Sequence, residues 1–188
     1  MIASAGTDAA TRQQLQKIRA INAGRHRPIA PELLAHYSLF RAVPAVDLVR
    51  DQTLLAPYID GGGIGGGFGL NYWDIRYVGS LKGIDGRGLW VVPGARGVCI
   101  SDPQATACGA LSKQGPAGIT GPLTGAGDRE TLPGLVPDGN STVTLVLAGG
   151  SRVTVPVVEH NVFEATVRGR IVAIINRDTH GRLVRRSV

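Results

Sequence analysis

Cys99 and Cys108 are the only cysteines in the chain, and they are the first residues to ask for chemistry. Eight residues separate them, which is neither the Cys-x-x-Cys spacing of a redox pair nor half of a usual zinc site. They bracket a Pro-containing stretch, so the expectation is a disulfide that closes it. By loop entropy alone such a bridge contributes about 2–3 kcal/mol, and it requires an oxidising compartment. The alternatives are two buried thiols packing as small hydrophobes and a nucleophilic thiol.

Arginine is the other conspicuous resource. Seventeen of the 20 basic residues are Arg, and the formal net charge is +6. Six of them, Arg168, Arg170, Arg177, Arg182, Arg185 and Arg186, crowd the last 21 residues against Asp178 alone. Together they are the candidate anion-binding set, able to contact phosphates in a salt-dependent, sequence-independent way. No aromatic residue lies beyond Phe163, so base-stacking platforms are missing and nucleic acid is disfavoured as a partner. The commoner use of such charges is to keep a sheet edge from pairing with another chain.

The remaining polar residues form no recognised constellation. His26, His36, His160 and His180 are far apart, and none has a ligand-like neighbour at helical or strand spacing. There is no Gly-x-Ser-x-Gly elbow and no His-Glu-x-x-His. Gly61 to Gly66 formally satisfies Gly-x-Gly-x-x-Gly, but no strand precedes it and no helix follows. Asn140-Ser141-Thr142 matches a glycosylation acceptor, although after Pro137-Asp138-Gly139 it reads as turn chemistry. No catalytic residue, metal ligand or cofactor is therefore assigned. An enzyme built on a thiol or on His160 stays as an alternative.

The elements that must position these residues change character along the chain. Residues 1–58 read as a helical segment. Thr11 and Gln14 match a capping box, with Asp8 as an earlier cap, ahead of a thin stripe of Leu15, Ile18 and Ile21 that Gly24 stops. Pro31 suits the first position of a second helix, on which Leu33, Tyr37 and Phe40 share one face before Pro44 ends it. Residues 45–58 are ambiguous, with room for a short helix. Residues 59–71 hold the tract Asp60 to Gly69, seven glycines in ten positions, which reads as a flexible joint.

Residues 72–188 read as an antiparallel β domain, because the apolar period shifts toward two. Trp73 to Leu81 and Leu89 to Val92 are expected strands, and a strand, turn and strand follow through Ile100. Residues 101–128, rich in Gly and Pro, read as irregular. Beyond them, Val143, Leu145 and Leu147 alternate, as do Val153, Val155 and Val157. Placing both sets on one side of a hairpin pairs Leu145 with Val153 and Val143 with Val155, leaving Ala148-Gly149-Gly150 as the loop. The same argument pairs Phe163 with Ile174 and Ala165 with Val172 around an Arg168-Gly169 turn. Asp178 to Gly181 forms a further turn before a last strand from about Arg182. The expected fold class is mainly β: an antiparallel β-sandwich or small barrel behind a helical N-terminal segment.

The totals agree with this. A hydrophobic fraction of 43% in 188 residues supports one comfortable core. No stretch is apolar for the roughly 18 residues that a membrane-spanning helix needs, and Met1 to Asp8 lacks the apolar run of a secretory signal.

Trp90-Val91-Val92-Pro93-Gly94, Val98-Cys99 with Cys108, and Gly134-Leu135-Val136-Pro137-Asp138-Gly139 occur in that order. Val143 to Leu147, Arg152 to Val157 and Asn161-Val162-Phe163 follow, and Glu32 to Arg41 precede them. These phrases resemble a group of uncharacterised, β-rich proteins of GC-rich actinobacteria that often carry a membrane anchor ahead of an exported domain. The resemblance covers residues 30–186 and implies an extracytoplasmic place at the cell envelope, with no activity or functional residue to carry over. The expectation is a non-enzymatic binding or structural domain, stapled by Cys99 and Cys108, whose partner is another protein or an envelope component. Binding of nucleic acid or an anionic surface through the C-terminal arginines is the first alternative.

Overall fold

Proline lacks an N–H and carries a preset φ, so it suits a helix start, and Pro31 opens α1 (Pro31–His36). In the computed structural model, which describes residues 12, 13, 16, 28–46, 70–79, 88–101, 105–111 and 117–188, that helix does not run on to Phe40 as its apolar spacing predicts. Tyr37 is extended, and α2 (Leu39–Ala42) starts after Ser38. The break has a local cause. The Ser38 N–H donates to Asp138 Oδ1 at 3.0 Å and to Asn161 Oδ1 at 2.9 Å, and the His36 carbonyl accepts from Asp138 N at 2.8 Å. These partners replace the helical ladder while Leu33, Tyr37 and Phe40 stay buried, as their spacing requires. The earlier capping box, the glycine tract, most of residues 45–58 and Leu81 lie outside the described residues.

An asparagine at the head of a turn can bond the backbone two residues on. Asn71 Oδ1 accepts from Trp73 N at 3.1 Å, so residues Tyr72–Asp74 form a 3-10 turn where a strand is expected. The first strand is therefore short, β1 (Arg76–Val78), and it leads a meander with β2 (Leu89–Pro93), β3 (Gly97–Ser101) and β4 (Thr106–Ala110). Every residue of β2 and β3 is buried because both faces of this first sheet are covered. Ile29, Leu33, Leu39 and Phe40 pack with Val91, Val98 and Ile100 on one face. Leu70, Trp73 and Val46 pack with Trp90, Val92 and Cys99 on the other.

The stretch 101–128, expected to be irregular, contains β4 and two further short strands, β5 (Ile119–Thr120) and β6 (Thr124–Ala126). Both line up along one side of β7 (Arg129–Leu135), whose other side pairs with β10 (Val162–Arg168) over its whole length. Proline is ordinarily excluded from central strands because it cannot donate to the ladder. Pro133 is tolerated in β7 because it sits where the neighbour changes from β5 to β6, and its carbonyl still accepts from Gly121 N at 2.8 Å.

The third sheet runs β12 (Leu183–Ser187), β11 (Ile171–Arg177), β8 (Thr142–Leu147) and β9 (Arg152–Pro156). The β8–β9 hairpin has the register that alternation predicts, Leu145 opposite Val153 and Val143 opposite Val155. Gly150 takes a left-handed φ of 83° in its loop.

The expected β10–β11 hairpin does not form. Phe163 lies opposite Gly134 of β7, whereas Ile174 lies opposite Leu145 of β8 and Arg186 of β12. After Arg168 the chain crosses from the second sheet to the third. Groups of both layers satisfy the crossing: Gly169 N donates to Asp128 O, Ile171 N to the Glu130 carboxylate and Ala148 N to Arg170 O. The two sheets stack as an open sandwich, with no closed barrel. Its core joins Leu132, Phe163 and Val167 of one layer to Val143, Leu145, Ile171 and Ile174 of the other.

Candidate functional site

Side chains on paired strands share a face when their residues stand opposite one another. Rows across the third sheet read Arg152, Val146, Ala173 and Ser187, then Thr154, Thr144, Ile175 and Arg185. One row further along β11 and β12, Arg177 stands opposite Leu183. All of these point away from the sandwich core, because their neighbours Val143, Leu145 and Ile174 fill it. Arg152, Arg177 and Arg185 are exposed, Ile175 is half-buried, and Val146 and Ala173 are buried. None of the four strands contains an Asp or Glu. Among the described residues no carboxylate lies within ion-pair reach of Arg152, Arg177 or Arg185.

Arg177 and Arg185 are diagonal neighbours, about 7–8 Å apart along the backbone. Arg152 sits three strand spacings from β12, roughly 14–15 Å away. Three exposed cations with no carboxylate in ion-pair reach among the described residues create a face that attracts anions. Its backbone is held at the β8 side: Arg177 N donates to Asn140 Oδ1 at 2.8 Å, and Asn140 Nδ2 returns a bond to Arg177 O at 3.0 Å. A further bond, from Asn140 Nδ2 to the Pro137 carbonyl at 3.0 Å, places Asn140 in turn chemistry.

The six C-terminal arginines do not form one cluster. Arg168 belongs to the second sheet, where its weak, exposed pairing with Asp128 spans 3.7 Å, and Arg170 lies in the crossing between layers. Six residues of β11 lie between Arg170 and Arg177. Arg182 is committed to Asp178, with Nε and Nη2 at 3.0 and 2.9 Å from Oδ2. Burial raises the Asp178 pKa, but the N–H groups of Arg182 and His180 and the Arg182 side chain outweigh it and hold the carboxyl below its usual range. Arg186 points inward, donating to Gly118 O at 2.9 Å and to Asn176 Oδ1 at 3.4 Å. Burial pushes its pKa down, opposed by Tyr37; burial in turn pushes the Tyr37 phenol up, against Arg186. Of the predicted set, Arg177 and Arg185 share the outer face. Arg152, which sequence reasoning passed over, joins them. Its signal was the alternation that sends Val153 and Val155 inward and so Arg152 and Thr154 outward.

Cys99 and Cys108 stand directly opposite on β3 and β4, with their sulfurs at bonding distance, 2.02 Å. They face the Trp73–Trp90 side of the first sheet, away from the arginine face. His160 and Asn161 have positive φ values of 62° and 69°, and Asn161 Oδ1 accepts from both the N–H and the hydroxyl of Ser38. Asp138 adds an ion pair to Arg41 at 2.5 Å. Arg76, buried in β1, donates to the carbonyls of Asp74 and Phe40 at 2.7 and 3.4 Å. These groups fasten the helical segment to the sheets, and each polar atom named is engaged structurally. Among the described residues no three His, Cys, Asp or Glu side chains are grouped to hold a metal, and no helix is long and apolar enough to cross a membrane.

No family model, curated protein or solved structure matches this chain.

Proposed function

We propose that this chain is a non-enzymatic binding domain of the cell envelope that presents the outer face of its third sheet to an anionic partner. The observation that carries the reading is the set Arg152, Arg177 and Arg185 on a four-stranded face whose strands lack any carboxylate. A protein surface ordinarily intersperses both signs of charge, and a single-sign field steers oppositely charged partners. The Cys99–Cys108 pairing supports an oxidising compartment.

The test is an equilibrium binding assay of the full chain with inorganic polyphosphate. The reading predicts binding that weakens steeply with added salt. Replacing Arg152, Arg177 and Arg185 together with Gln should weaken it about tenfold or more, while Arg168→Gln with Arg170→Gln changes it little. Equal loss from the two sets, or no binding at low salt, would refute it.

A further inference from the structure

The corner where β11 turns into β12 has a feature that anion attraction alone does not use. Leu183 is 68% exposed, the most exposed large apolar side chain among the described residues. It stands opposite Arg177, follows Arg182 in the chain, and shares its face of β12 with Arg185. An exposed apolar side chain flanked by arginines on one face can enter the boundary between lipid headgroups and acyl chains while the cations remain at headgroup level.

We propose that this corner docks on an anionic lipid bilayer, with Leu183 inserted and Arg177 and Arg185 on lipid phosphates. The proposal rests on the anionic-partner reading above and names its partner. Nucleic acid fits the corner less well. No aromatic side chain follows Phe163, which is itself fully buried in the sandwich core, so nothing here stacks on bases. A phosphate polymer or an acidic polypeptide would meet the same arginines with no use for Leu183. The buried Asp178 carboxylate, bonded to the His180 and Arg182 N–H groups at 2.8 and 3.0 Å, fixes the turn that presents Leu183. The corner is thus already shaped before it meets a surface.

The experiment is co-sedimentation of the full chain with phosphatidylglycerol–phosphatidylcholine vesicles, with pure phosphatidylcholine vesicles and soluble polyphosphate in parallel. Binding is expected to the anionic vesicles and to polyphosphate, and not to the pure phosphatidylcholine vesicles. Arg177→Gln and Arg185→Gln should each weaken it about fivefold, near 1 kcal/mol per charge at an anionic surface. Leu183→Ser, a change at an exposed position, should weaken vesicle binding about tenfold and leave polyphosphate binding unchanged. If Leu183→Ser leaves vesicle binding intact, or if polyphosphate binds while vesicles do not, the lipid proposal is overturned and the anionic-partner reading stands. If neither binds, both fall.

Discussion

Gly134 sits in β7 opposite Phe163 of β10, and the Phe163 ring occupies the space in which any other residue would carry a side chain. A Cβ built there would lie 2.6 Å from Phe163 Cε1 and Cζ and 2.8 Å from the Ile119 carbonyl oxygen. Ordinary contact begins near 3.4 Å, so the ring must retreat by about 0.8 Å. It has nowhere open to go: Phe163 is fully buried, packed with Leu132, Leu145 and Ile174, and the Ile119 oxygen belongs to paired backbone. Inserting one methyl into such a core costs about 1–3 kcal/mol, and with backbone on one side Gly134→Ala should fall in the upper half of that range. At a urea dependence of about 2 kcal/mol per molar, the midpoint should drop by roughly 1 M. Combining it with Phe163→Leu, which withdraws the ring, should give a double variant less destabilised than the sum by about 1 kcal/mol or more. A change below about 0.5 kcal/mol for Gly134→Ala, or strict additivity, would refute the stacking of Phe163 over β7.

The same fold sets three further outcomes. Thiol titration of the unfolded, unreduced chain should find no free thiol at Cys99 or Cys108, and reduction should cost about 2–3 kcal/mol of stability through the freed loop. Asp178 has a folded pKa below its unfolded value of about 3.9, so its contribution is present above that pH and lost as pH falls through the folded pKa. Asp178→Asn should therefore be less stable near pH 7 and lose less on acidification, as acid unfolding followed by circular dichroism would show. At Asn161, whose φ is 69°, both Gly and Ala remove the acceptor for Ser38. Ala alone meets left-handed strain, so chemical denaturation should find Asn161→Ala less stable than Asn161→Gly by about 1 kcal/mol.

The sequence made some elements readable for a physical reason. In β8 and β9 the apolar residues alternate without interruption and a Gly-rich loop fixes their offset, so only one register hides both sets. The same reasoning misled at β10 and β11 because alternation reports which side chains seek the core, not which strands exchange hydrogen bonds. Phe163 and Ile174 do share a core, but they reach it from opposite sheets. The sequence assigns no element to β7, whose Pro133 and Gly134 interrupt a strand pattern. The first is tolerated only where the neighbouring strand changes, and the second makes room for Phe163. Crowding of arginines near the C-terminus suggested a single cluster, yet strand geometry sends Arg186 inward and Arg185 outward. Arg152, far away in sequence, reaches the same face only through the pairing of β9, β8 and β11.

The most direct measurement is a chemical-shift map of the isotope-labelled, full-length chain titrated with polyphosphate at low salt. The largest changes should trace the outer residues of one sheet: Arg152, Thr154, Thr144, Ile175, Arg177 and Arg185. Changes centred on Arg168 and Arg170, or spread evenly over every exposed arginine, would contradict the assignment of that face as the binding surface.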